Sequence, residues 1–128
     1  MAIEACLQMI PGLTASEDLS AKQYFFVGLS GNFAVSLVDS ATAEWPLGVL
    51  QDAPKSGAVA TVAFAGITKV VLGGTVVATD YVGPDANGAA VAYVAGSATS
   101  NWVRGQMLEG GSAGEIRSMM LVSAHRAS

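Results

Sequence analysis

Reactive side chains are scarce in this sequence. Its 128 residues include one cysteine, Cys6, and one histidine, His125. A single thiol excludes a disulfide within the chain and lacks the paired spacing of a cysteine metal site. His125 falls in the closing A-H-R-A-S, where a chain end is expected to fray. A general base must be held within hydrogen-bond reach of its target, so no catalytic role is expected for it. Serines and threonines are plentiful, but none has a plausible ordered histidine–acid pair for nucleophilic catalysis. Gly73-Gly74 and Gly110-Gly111 have neither a Gly-Lys-Ser/Thr nor a G-x-G-x-x-G around them, so no phosphate loop is expected. These absences predict no enzyme, no catalytic residue, no cofactor and no metal.

Charge is also sparse. Only 12% of residues are charged, about half the usual share. The basic residues Lys22, Lys55, Lys69, Arg104, Arg117 and Arg126 are scattered, and the net charge is −4. Nucleic-acid binding needs a basic patch, so no nucleic acid is expected as a direct partner. Gly, Ser, Thr, Asp and Asn interrupt every apolar stretch well short of the ~18–20 residues of a membrane span, so no membrane partner is expected. The opening M-A-I-E-A-C-L-Q-M-I-P-G lacks the basic region and apolar core of a signal peptide, and folding in the cytoplasm is expected.

What the chain does have is small apolar residues. Hydrophobic residues make up 52% and the mean hydropathy is +0.48, much of it from Ala and Val. The length suits one domain with one proper core. High hydropathy with so little charge suggests surface hidden in an assembly.

A phrase occurs twice. Residues 47–62 read L-G-V-L-Q-D-A-P-K-S-G-A-V-A-T-V, and residues 104–119 read R-G-Q-M-L-E-G-G-S-A-G-E-I-R-S-M. Gly48 and Gly105 open the two copies and an apolar pair follows. Asp52 and Glu109 come next, then a small-residue turn, with Gly57 and Gly114 at the same spacing. Two strand–turn–strand copies predict an all-β barrel with internal pseudo-symmetry.

The rest of the chain from Tyr24 has a β pattern. Tyr24–Leu29 and Phe33–Val38 read as a hairpin around Ser30-Gly31-Asn32. Asp39–Glu44 is a loop, Leu47–Gln51 a strand and Asp52–Gly57 a turn. Ala58–Phe64 and Ile67–Leu72 are strands parted by a bend or bulge at Ala65-Gly66. Thr75–Val82 is ambiguous between a turn of helix and a strand, and its β-branched content favours strand. Pro84–Gly88 carries an Asn-Gly hairpin signal, followed by a strand from Gly88 to Val94 and a loop from Gly96 to Asn101. Trp102–Glu109 and Gly114–Val122 complete about eight or nine short strands, the signature of a small barrel or sandwich.

Residues 1–20 stand apart as an N-terminal arm, before a β-barrel domain at 21–123 and a tail at 124–128. Ile3, Leu7 and Ile10 have the spacing of a short amphipathic helix ended by Pro11-Gly12. Trp45 and Trp102 could stack on a ring, but they read better as core or interface residues. Asp52 and Glu109 could form a carboxylate dyad or cation site. They read better as turn residues that accept backbone N–H groups, as do Asp80 and Asp85.

Five blocks in order resemble a known family. They are D-L-S-A-K-Q-Y-F-F-V-G-L (18–29), P-L-G-V-L-Q-D-A-P-K-S-G-A-V-A-T-V (46–62), G-I-T-K-V-V-L-G-G (66–74), D-Y-V-G-P-D-A-N-G-A-A-V (80–91) and G-Q-M-L-E-G-G-S-A-G-E-I-R-S-M-M-L (105–121). Together they are similar to the capsid cement, or small head-decoration, proteins of tailed bacteriophages. The resemblance implies a non-enzymatic β-barrel on the exterior of the virion. It implies a homotrimer that stabilises the shell by bridging subunits of its partner, the major capsid protein. The arm would then supply capsid anchors at Ile3, Leu7, Ile10 and Leu13, by adding a strand or filling a groove. Two other functions compete with this one: a virion-surface module binding host or glycan through Trp45 or Trp102, and a hydrolase using Asp52 and Glu109.

Overall fold

The computed structural model describes residues 2, 4–39, 45–93 and 102–126, the side chains of 124–126 excepted. Among these the chain is all-β and forms one nine-stranded sheet with no helix. The strands are β1 (Ala5–Ala15), β2 (Phe26–Gly31), β3 (Ala34–Leu37), β4 (Gly48–Leu50), β5 (Val59–Val71), β6 (Tyr81–Pro84), β7 (Ala90–Ala92), β8 (Trp102–Met107) and β9 (Ile116–Arg126). Their order in the sheet is β1-β3-β2-β4-β5-β9-β8-β6-β7, and β1 also pairs with β5.

β5 organises the molecule, and each of its edges changes partner along its length. One edge carries β1, then a bridge from Leu72 to Ala90 of β7. The other carries β4 at Ala63 and Val62, then β9 from Ile67 to Val71. The circuit β1–β3–β2–β4–β5 closes on itself. So does β5–β7–β6–β8–β9, through the Leu72 bridge. The chain is thus two small rings that share one strand.

The rings are copies of each other, and the copy extends far beyond the repeated phrase. Ladder pairs Leu50↔Val62 and Met107↔Met119 match at an offset of 57, as do Leu13↔Ala60 and Val70↔Arg117. The hairpins match at an offset of 55: Val27↔Leu37, Gly28↔Ser36 and Leu29↔Val35 against Val82↔Ala92, Gly83↔Val91 and Pro84↔Ala90. Irregular hydrogen bonds are copied too. Gly57 N donates to Ala15 O and Gly114 N to Leu72 O, both at 2.8 Å. Gly57 and Gly114 both have φ of 85°, a left-handed turn conformation that suits glycine.

Each ring has its own core. Leu13, Ala15, Leu19, Val27, Val35, Leu50 and Val62 pack in the first. Their counterparts Val70, Leu72, Val76, Val82, Ala90, Met107 and Met119 pack in the second. Phe26, Val38, Val49 and Ala63 of the first ring join the second cluster, so the rings are welded by apolar contact as well as by β5.

Several expectations need correction. The N-terminal helix is a strand: residues 5–15 form β1 against β5. Register shifts between Ala5 and Gln8, at Gln8/Met9, and between Ile10 and Leu13 interrupt the two-residue alternation. Inserted residues of β1 stretch a spacing of two to a helix-like three between Ala5 and Gln8 and between Ile10 and Leu13, while at Gln8/Met9 the extra residue is Phe64 of β5. A helix this short would have been marginal in any case. Thr75–Asp80 is not strand apart from a Val76↔Gly111 bridge. Asp80 Oδ2 accepts the Val77 N–H at 3.0 Å and closes a turn there. Residues 124–126 continue β9, with Val103↔His125 and Trp102↔Arg126 in register, so the tail begins no earlier than 127. Ala65-Gly66 parts no two strands but lies within one continuous β5, where the expected irregularity is present: Gly66 has φ of 105°, Phe64 is an extra residue opposite Gln8/Met9, and β1 bulges at Cys6–Leu7. Ile3, most of the 39–44 loop, Val94 and the loop at 96–101 lie outside the described residues.

Candidate functional site

The matched acids are hairpin residues. Asp52 Oδ1 accepts the Thr61 N–H at 3.2 Å, and Glu109 Oε2 accepts the Ser118 N–H at 3.0 Å. Both bonds run nine residues forward, to the outgoing strand of the same hairpin. Each carboxylate serves its own turn, so the structure gives no support to a shared reactive dyad. Hydrogen bonds from the backbone and then the side chain of Ser118 hold the Glu109 carboxyl below its usual range. Asp85 does similar work in the β6–β7 hairpin, where Oδ1 accepts the N–H groups of Asn87 and Ala89. Among the described residues no group of three or more His, Cys, Asp or Glu could hold a metal ion.

Among the described residues the most constrained charged group is Arg104, in the sequence one of six scattered cations. Its side chain is buried in β8. Nη2 donates to Leu47 O and Phe64 O, both at 2.9 Å, Nε to Pro46 O at 3.3 Å, and Nη1 to Val122 O. The position follows from the topology. The β4 ladder leaves β5 at Ala63, and the β9 ladder joins the same edge at Ile67. The guanidinium fills the gap between them and ties the lead-in to β4, the edge of β5 and the departing β9. Burial lowers its pKa from the ordinary arginine value. The signal was present in the repeat: Arg104 matches Leu47, an unexplained cation opposite an apolar residue.

The remaining candidates are apolar and exposed. Trp45 is 45% exposed and lines a groove of about 860 Å³ with Met9, Pro11, Phe64 and Val122, with Arg104 at its wall. Trp102 stands at the matching position in the second ring, half-buried at the start of β8. The two tryptophans thus sit one on each ring, and only Trp45 lines the groove. Of the proposed anchors, Leu13 is 2% exposed and belongs to the first core. Leu7 and Ile10 are partly buried, against the second and first cores respectively. Ile3 lies outside the described residues.

A second apolar recess borders the tip of the β2–β3 hairpin. It is lined by Ile10, Leu13, Leu29 and Phe33, with Leu47 at its junction with the larger groove. Phe33 is 65% exposed and has φ of 52°, an unusual backbone for a bulky residue. The matching tip residue in the second ring is Gly88, with φ of 79°.

The architecture has a solved counterpart. The head fiber gp8.5 N base of bacteriophage phi29 superposes with a TM-score of 0.68, covering 90% of this chain and 95% of that one. The two share a fold. Sequence identity is 19%, so the likeness is one of architecture. No protein-family model matches the chain, and no curated protein sequence matches it significantly.

Proposed function

We propose that this protein is a non-enzymatic structural component of a phage head, a decoration protein that cements the shell from outside. The observation that carries the proposal is the fold shared with a phage head fiber base along nearly the full length of both chains. The blocks similar to head-decoration proteins support the same reading, as does the use of Asp52 and Glu109 as turn residues. On this reading the partner is the major capsid protein, and homotrimers bridge its neighbouring subunits. The N-terminal segment from Ile3 through Leu7 and Ile10 meets the capsid, with Leu13 rooting it in the core. Trimers engaging three sites gain affinity through high effective concentration, so each contact can be modest.

The test is co-sedimentation with DNA-free heads of the encoding phage, before and after expansion. Saturable binding at a fixed ratio to major capsid protein is expected on expanded heads, together with greater resistance of those heads to heat. Failure to bind heads in either state would sink the proposal. Because β1 is a wall of the first ring, the N-terminal contribution is tested by removing residues 1–4 and by an Ile10→Asp variant checked for folding. Undiminished binding by both would remove this segment from the contact.

A further inference from the structure

The duplication shows which apolar side chains are buried in one ring and exposed in the other among the described residues. Within the chain, the second ring's hairpin tip rests on the first ring. Phe26 N donates to Gly88 O at 2.8 Å, and a Cβ on Gly88 would stand 2.7 Å from Leu37 Cδ1. Phe26 is fully buried by this arrangement. The equivalent contact is not made a second time within the chain, and the counterparts of Gly88 and Phe26 carry exposed aromatic side chains. The counterpart of the Gly88 tip is Phe33, and the counterpart of Phe26 is Tyr81, which is 49% exposed. Leu37 corresponds to Ala92. Leu29 and Met120 are likewise exposed, whereas their counterparts Pro84 and Ala63 are buried.

We propose that a second copy of this chain docks its Asn32–Phe33 tip onto the Tyr81–Ala92 face, head to tail. The side-chain volumes are complementary. Inside the chain, glycine at the tip meets the large Leu37. Between copies, phenylalanine at the tip meets the small Ala92. The strained backbone of Phe33 presents an aromatic ring where the internal copy needs none, and such strain is typical of binding positions. Two exposed aromatic side chains, Phe33 and Tyr81, are covered by one contact, which suits a chain with so little charge.

β1 limits how closely the internal arrangement can be repeated. Residues 5–12 correspond, two steps along the repeat, to 119–126. A strict copy of the internal step would lay one chain's β1 on the other's β9. The copies therefore meet with the β1 side opened by a strand spacing, about 4.8 Å. A contact between two different faces closes into a ring or runs on, according to the rotation at each step. The proposal concerns the isolated protein and stands or falls apart from attachment to a head.

Light scattering on size-fractionated protein tests it. Wild type is expected to assemble, while Phe33→Glu and Tyr81→Glu are each expected to be monomeric. Mixed together, the two variants retain one intact face apiece and are expected to form a dimer and nothing larger. Phe33→Gly guards against misfolding, because glycine is the residue the second ring uses. It is expected to melt no lower than wild type while associating at least tenfold more weakly. A monomeric wild type at about 100 μM, charge variants that assemble like wild type, or a mixture that stays monomeric would each overturn the proposal.

Discussion

Replacing Arg104 by leucine puts into the second ring the residue that the first carries at position 47. The substitution keeps an apolar stem in place and removes the guanidinium. Four carbonyls, on Pro46, Leu47, Phe64 and Val122, then lose their donor. Bonds from a charged donor contribute about 1.5–3 kcal/mol each, and an unsatisfied buried group costs about 1–3 kcal/mol. Against this, the variant no longer desolvates a cation, which is worth several kcal/mol. The net expected loss is about 3–5 kcal/mol, the four stranded carbonyls outweighing the relieved desolvation. At about 2.1 cal/mol/K per residue, the unfolding entropy of a chain this long converts that loss to about 10–20 °C in melting temperature. Differential scanning calorimetry measures it. Arg104→Lys is expected to fall between, because one ammonium cannot reach carbonyls on three segments. Hydrogen exchange gives the local signature, with protection lost first around Phe64–Gly66 and Val122. A leucine variant that melts within about 3 °C of wild type, with unchanged exchange in those segments, would refute the argument that Arg104 holds the strand junction.

Two further outcomes follow from the same structure. The Glu109 carboxyl is depressed in the folded state, so its contribution to stability is present above the unfolded pKa of about 4.3 and lost as pH falls through the folded value. Thermal melts from about pH 6 to pH 3 should show Glu109→Gln trailing wild type at the upper end and converging with it at the lower; a constant gap would count against the Ser118 bond as the cause. Met119→Ala empties a fully buried core position and should cost about 2–5 kcal/mol. Because β5 and the shared apolar cluster join the rings, calorimetry should still show one transition; two resolved transitions would mean the rings are separable.

Much of the fold was legible because it depends on local patterns. Asn87-Gly88 marked the β6–β7 hairpin, and the paired Gly48…Gly57 and Gly105…Gly114 phrases marked β4–β5 and β8–β9. The full extent of the duplication was hidden by chemistry and by spacing. Core partners such as Ala15 and Leu72 share a position but not a side chain, and the offset slips from 57 to 55 and back across two loops. β1 is not legible locally, because its bulges break the two-residue alternation and only its long-range pairing with β5 reveals the strand. The carboxylates were legible as turn residues. Arg104 was not, since its role arises where two strand partners change places on one edge of β5, a relation no local window contains.

The shared strand also sets how load passes through the molecule. β1 and β9 both run antiparallel to β5, and they lie on its opposite edges. Tension that draws the two chain ends apart pulls β1 toward one end of β5 and β9 toward the other. The hydrogen bonds of both ladders are then strained side by side along their length and must give way together, where a peeled hairpin would yield one bond at a time. A small, charge-poor body is in this respect built as a lap joint, with β5 as the plate between two overlapping straps.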